Sequence, residues 1–169
     1  MVRAVFFDVD DTLVDYTTTA RRALDEAMGA GASYKLWQQI SFVLFDDVLS
    51  CLGALRADSL RLGVITNNDG VHQRRKLAAV GLGDAFDVVV ISGEFGVGKP
   101  DPAIFSHACA ELGVDAGAAL HVGDRLDADA LGALGAGLRG IWLDRLGVAG
   151  DERRMPVVAT LAAVPALVA

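Results

Sequence analysis

Five short apolar runs, spaced by segments of helical periodicity, limit what this chain can fold into more than any other feature. They are AVFFDV (4–9), RLGVIT (61–66), DVVVIS (87–92), ALHVGD (119–124) and RGIWLD (139–144), with VVAT (157–160) as a weaker sixth. Most are continuous rather than alternating, as expected of strands covered on both faces. Helical periodicity fills the intervals at 46–58, 71–80, 101–112 and 126–136, and the first of these places Val48, Leu49, Leu52 and Leu55 on one stripe. Asp101 followed by Pro102 suits the start of the third. This alternation predicts an α/β fold, a doubly wound, Rossmann-like parallel sheet with helices on both faces.

One region breaks the rhythm. Between Asp15 and Phe45 there is no strand candidate. TTTARRALDEAM (17–28) puts Ala20, Ala23, Leu24, Ala27 and Met28 on one helical face. GAGAS (29–33) is a turn, and YKLWQQISFVL (34–44) offers a second helix with Leu36, Trp37, Ile40 and Val43 apolar. The expected organisation is a core of residues 1–15 and 45–169, with residues 16–44 as a small helical insertion after the first strand. Tyr34, Trp37, Ile40 and Phe42, with Phe45 beside them, offer more apolar surface than two helices can cover. The insertion is therefore expected to pack beside a site mouth as a lid or to join two subunits of a homodimer.

At 169 residues and 53% hydrophobic, the chain can bury one core with a small insertion. A net charge of −7 argues against nucleic acid as a partner, which needs a basic footprint. It is compatible with a small phosphorylated metabolite held by a local cation. MVRAVFFDVD is too short and too acidic for a signal peptide. MPVVATLAAVPALVA (155–169) is too short for a membrane span, is interrupted by Pro156 and Pro165, and reads as a closing strand and short helix. Cys51 and Cys109 lie in apolar contexts without metal-ligand spacing, as buried thiols of a cytoplasmic protein would.

The polar residues at the strand ends carry the chemistry. FFDVDDTLVD (6–15) holds four aspartates, of which Asp8 and Asp10 close the first apolar run. Thr66 ends the second run, Asp124 ends the fourth, and Lys99 lies in GEFGVGKPD (93–101) after the third. The carboxyl ends of strands in an open parallel sheet converge on one crevice, so these groups should meet. Asp8 and Asp10 are two apart and point to one side of an extended backbone. Two neighbouring carboxylates resist joint ionisation, which a divalent cation relieves; hard oxygen ligands suit Mg²⁺. Lys99 adds a second positive charge for an anion such as a phosphoryl group.

Other features read as structural. Asp11 suits a helix cap and Asp15 a solvated position; His121 reads as a satisfied strand residue, His72 and His107 as helix residues without ligand partners, and RRK (74–76) as an exposed helix face. GEFGVGKP (93–100) nearly matches a nucleotide-binding P-loop, but Pro100 stands where a metal-binding hydroxyl is required.

Four segments together resemble the haloacid dehalogenase-like superfamily, in that family's order: FFDVDDTLVD (6–15), VITNN (64–68), GVGKPDPAIF (96–105) and HVGDRLDAD (121–129). The resemblance covers about residues 3–15 and 45–165. Asp10 resembles the phosphohydrolase branch, since true dehalogenases lack an acidic residue there. The resemblance implies Asp8 as nucleophile and Asp10 as general acid and base. It implies Mg²⁺ held by Asp8, Asp124 and the Asp10 carbonyl, and phosphate oxygens held by Thr66, the Asn67 N–H and Lys99. Asp129 would support Lys99 or a metal-bound water.

The implied activity is Mg²⁺-dependent hydrolysis of small phosphomonoesters through an aspartyl-phosphate. A phosphomutase or phosphotransferase on the same site, or a non-catalytic phosphoacceptor with a truncated cap, are the alternatives. Relatives with these motifs carry a larger helical cap between the first two, so the abrupt join near WQQISFVLFDDV (37–48) is the pattern of a reduced cap or an internal deletion.

Overall fold

The computed structural model describes residues 1–19, 41–150 and 154–168. The two helices expected within 16–44, and the subunit contact expected of them, fall largely on residues 20–40, outside the described residues.

Six strands form one parallel sheet: β1 (Ala4–Phe7), β2 (Arg61–Thr66), β3 (Val88–Ile91), β4 (Ala119–Gly123), β5 (Arg139–Leu143) and β6 (Val157–Val158). Their order is β3-β2-β1-β4-β5-β6, and every pairing is parallel. β1 is central and its four residues are fully buried, which is why AVFF is continuously apolar. Alternate residues serve opposite layers. Val5 and Phe7 join a core with Val48, Leu52, Leu55, Leu77 and Val168, while Ala4 and Phe6 join one with Ile104, Phe105, Ala108 and Leu112. Burying each such large side chain is worth about 1.5–3 kcal/mol, so the centre of the sheet anchors the fold.

The helices follow the expected segments with local corrections. In α1 (Val48–Ala57) the buried residues are Val48, Cys51, Leu52 and Leu55, while Leu49 lies 64% exposed. The inward stripe thus takes positions i, i+3, i+4 and i+7, and the small thiol of Cys51 replaces Leu49 on it. α2 (Gly70–Ala79) is capped by Asp69, whose side chain accepts from the His72 N–H. α3 (Ser92–Phe95) is a single turn after β3. α4 (Pro102–Leu112) starts as expected: Asp101 accepts from the Ala103 N–H and Pro102 takes the first position. The helix expected over 126–136 divides into a π-helical stretch, Leu126–Leu131, and a short α5 (Gly132–Gly135). β6 and α6 (Pro165–Val168) form the expected closing strand and helix. Among the described residues no helix is long and apolar enough to cross a membrane. Cys51 and Cys109 are free and buried, and burial pushes their thiols up to about 12 and about 11.

The order of connection positions the site. The chain runs outward from β1 through β2 to β3, then returns to place β4 on the other side of β1. Neighbouring connections therefore leave the carboxyl ends of β1 and β4 in opposite directions and open a crevice between them. Beyond β1 the chain makes a tight turn in which the Leu13 and Val14 N–H groups both donate to the Val9 carbonyl. A helical turn follows at residues 16–19. Asp11 accepts from the Thr17 N–H and hydroxyl, and Asp15, expected to be merely solvated, accepts from the Thr18 N–H. Residues Asp10 and Leu44 both bridge to Val14, which ties the two stems of the insertion to the end of β1.

Candidate active site

The crevice holds a cleft of about 420 Å³ lined by Asp8, Asp10, Thr66, Asn67, Lys99, Asp124 and Asp129, the seven residues singled out from sequence, together with Asp11, Arg125 and Asp127. β1 delivers Asp8, whose N–H still donates to the Val122 carbonyl of β4. Its carboxylate is buried and meets the Lys99 ammonium at 2.7 Å. The same ammonium meets Asp129 at 2.6 Å, so one buried cation joins two buried carboxylates.

Asp129 is the most heavily supported acid. Its Oδ1 also lies 3.2 Å from His121 Nε2, and its Oδ2 accepts from the Arg125 N–H at 2.9 Å. Burial alone would raise its carboxyl, but Lys99 and His121 outweigh that and hold it well below the usual range. Burial keeps His121 neutral, so Nε2 carries the proton that faces Asp129. The other ring nitrogen, Nδ1, is buried without a hydrogen-bond partner, so His121 is only half satisfied. Gly123 makes room for this arrangement, because a Cβ there would collide with the Asp129 carboxyl group.

The remaining acids behave differently. Burial pushes the Asp8 carboxyl up to about 6, with Lys99 pulling against it and Asp129 and Asp10 adding to it. Burial pushes Asp124 up to about 7, reinforced by the charges of Asp8, Asp129 and Asp11. Lys99 lies above the ordinary lysine value, because Asp8 and Asp129 outweigh its burial. Carboxylate oxygens of Asp8, Asp124 and Asp129 all lie within 4.8 Å of one another. Clustered hard oxygen donors whose ionisation is resisted fit a divalent cation, which would offset the burial and the mutual repulsion that raise Asp8 and Asp124. Since Asp129 already serves Lys99, His121 and Arg125, Asp8 and Asp124 are the better placed of the three to ligate.

Two short-range devices hold the cationic side of the cleft. The Asn67 side chain exchanges two hydrogen bonds with the Lys99 backbone: Nδ2 donates to the Lys99 carbonyl and Oδ1 accepts from the Lys99 N–H, both at 2.8 Å. This staples the loop carrying Lys99 to the end of β2. Thr66 is buried at that strand end, and its hydroxyl oxygen accepts from Gln73 Nε2 at 2.9 Å.

Gln73 and Lys76 are the residues that sequence reasoning missed. The RRK segment was expected on an exposed face, yet Lys76 is fully buried and its ammonium pairs with Asp10 Oδ1 at 2.5 Å. Gln73 is also fully buried and donates from Nε2 to Asp10 Oδ2 at 3.1 Å. The inward residues of α2 are Gly70, Gln73, Lys76 and Leu77. Counting back from Leu77 by helical spacing reaches Gln73 and Gly70, which is the signal that would have turned this face inward.

Comparisons with known proteins show the family. A family model described as haloacid dehalogenase-like hydrolase matches residues 33–137. N-acylneuraminate-9-phosphatase of Mus musculus is 31% identical over 209 residues, covering 86% of this chain and 84% of that protein. Since those 209 aligned positions face a chain of 169 residues, at least 40 of them have no counterpart here. Phosphoserine phosphatase of Thermus thermophilus is 38% identical over 131 residues, covering 74% of this chain and 53% of that one. Among solved structures, a HAD phosphatase from Thermococcus onnurineus superposes with a TM-score of 0.81 at 26% identity, covering 98% of this chain and 97% of its own. With a doubly wound sheet, buried acids at its switch point and relatives matched along most of its length, the chain belongs to the haloacid dehalogenase-like hydrolase family and stands with its phosphatases.

Proposed function

We propose that this chain hydrolyses small phosphomonoesters in two steps through an aspartyl-phosphate on Asp8, with Mg²⁺ held by Asp8 and Asp124. One observation carries the reading: Asp8 sits buried at the switch point between the Lys99 ammonium and the Asp124 carboxylate. A carboxylate oxygen held in place with positive charge beside it can serve as the nucleophile at a phosphorus centre.

In the first step an Asp8 carboxylate oxygen forms a bond to phosphorus as the bond to the leaving oxygen breaks. Asp10 supplies the proton that the leaving oxygen takes. In the second step Asp10 removes a proton from water, water oxygen bonds to phosphorus, and the Asp8–phosphorus bond breaks. Lys99 and the Thr66 hydroxyl face the cleft as donors to the phosphoryl oxygens. When bound, the divalent cation supplies charge neutralisation for Asp8, Asp124 and the phosphoryl group. The cleft of about 420 Å³ suits a small phosphorylated metabolite as substrate. The named relatives hydrolyse different phosphoesters, so hydrolysis is what this chain shares with them.

The experiment is phosphate release from p-nitrophenyl phosphate and a panel of small phosphomonoesters, with Mg²⁺ and then with EDTA. Turnover should vanish with EDTA and return with Mg²⁺; turnover unaffected by chelation contradicts the metal assignment. Thermal unfolding gives a second readout. Asp8 and Asp124 have native values raised above the ordinary carboxylate, so the metal-free protein is most stable when they are protonated. It should lose stability as pH rises through about 6 to 7. Mg²⁺ needs both groups ionised, so its thermal stabilisation should be large at about pH 8 and small at about pH 5.

A further inference from the structure

The helix face formed by Gln73 and Lys76 plays no part in the two steps as written, yet it buries a charge and an amide against the acid–base residue. An ammonium with no exposed surface is among the costliest groups to bury, and is tolerated only when paired. Among the described residues, the carboxylate partner of Lys76 is Asp10, itself 22% exposed at the cleft. The Tyr16 ring lies 4.0 Å from the ammonium and the Phe42 ring 5.9 Å away. Both rings belong to the stems of the insertion, and they face the ammonium as cation–π partners.

Gln73 completes the arrangement. Its Nε2 lies within hydrogen-bond distance of Asp10 Oδ2, Thr66 Oγ1 and the Asn67 carbonyl. Asp10 is thus gripped at both oxygens, Oδ1 by Lys76 and Oδ2 by Gln73, and Gln73 links it to the hydroxyl of the phosphate side. A fold without this need would place apolar residues on such a face, as α1 does.

We propose that Lys76 and Gln73 are positioning residues for Asp10: they fix its carboxyl group where the leaving oxygen emerges, and so set the enzyme's reach toward substrates with poor leaving groups. The proposal rests on the phosphatase reading above. An alkoxide must take a proton as it departs, whereas p-nitrophenolate leaves without one. A misplaced Asp10 therefore slows alkyl phosphates far more than p-nitrophenyl phosphate.

The test compares kcat and KM of the Mg²⁺-loaded wild type, Lys76→Met, Lys76→Arg and Gln73→Leu on glycerol phosphate and p-nitrophenyl phosphate. Because the second step is common to both substrates and also uses Asp10, the readout is kcat/KM, which reports the first step: Lys76→Met and Gln73→Leu should lower it on glycerol phosphate by about 10²-fold, within the range of general-acid effects, and on p-nitrophenyl phosphate only a few-fold. Lys76→Arg keeps the charge and should restore much of the ratio. In an Asp10→Asn background, Lys76→Met should add no further loss. Equal losses of kcat/KM on both substrates, or full additivity with Asp10→Asn, would overturn the positioning role. If Lys76→Met does not fold, Gln73→Leu, which buries no charge, decides the question alone. A wild type inactive on every phosphomonoester would instead overturn the phosphatase reading itself.

Discussion

Asp8→Asn should abolish turnover while leaving the fold intact. Asparagine keeps the size of the side chain and an oxygen that can still accept from Lys99, which now lies 2.7 Å from Asp8. It removes the group proposed to attack phosphorus, and a reaction this slow without catalysis gives no background activity to fall back on. The loss should be at least about 10³-fold in kcat, with KM little changed, because the missing interaction is a bond made during the reaction. Stability should hold or rise. Burial works against the Asp8 charge and has pushed its carboxyl up to about 6, so a neutral side chain relieves a cost at neutral pH. Calorimetry should show a midpoint at or above wild type in metal-free buffer, and circular dichroism an unchanged fold. Retained turnover would remove Asp8 from the mechanism.

The second large effect belongs to Lys99. Lys99→Met leaves Asp8 and Asp129 buried side by side without their shared cation. Removing one partner of a buried pair typically costs about 3–5 kcal/mol, and here one ammonium serves two carboxylates. Urea unfolding near neutral pH should show a loss of this order, with phosphatase activity gone. The sign with pH follows from Asp129. In the wild type its carboxyl is held below the ordinary value by Lys99, so it contributes stability that is present above that ordinary value and lost as pH falls. Without Lys99 that contribution vanishes and the acids favour protonation. The stability gap between wild type and variant should therefore shrink as pH is lowered toward about 4. A gap that does not vary with pH would mean that lost packing of the lysine stem, and not lost charge, causes the effect.

Much of this architecture was legible in the chain. RLGVIT (61–66) is β2 residue for residue, because both faces of that strand are covered and its apolar run has sharp ends. AVFFDV reads two residues too long, since β1 ends at Phe7 and Asp8 keeps only its N–H bond to Val122 of β4 as its side chain enters the site. Leu49 was misjudged on α1 because hydropathy ranks leucine as inward, while the helix is phased by all its contacts together. The π-helical stretch at Leu126–Leu131 was read as ordinary helix, since its composition carries no mark of the wider turn.

The site divides in the same way. Asp8, Thr66, Lys99 and Asp124 sit at or just beyond strand ends, where the fold class itself dictates convergence. Lys76 does not. It lies on a helix among other basic residues, and its partner Asp10 is 66 positions away. Only the packing of α2 against the strand ends turns an apparent surface charge into a buried one.

The two-step reaction stands or falls with a covalent phosphoryl group on Asp8. Rapid acid quenching of the Mg²⁺-loaded enzyme during turnover, followed by borohydride reduction and peptide mass spectrometry, reads it directly. Reduction converts an aspartyl-phosphate to the alcohol and leaves free aspartate untouched. Substrate-dependent reduction is expected at position 8, in the peptide containing FFDVDDTLVD, and none in Asp8→Asn. Reduction at another aspartate, or turnover with no reducible residue under conditions that trap a known aspartyl-phosphate, would contradict it.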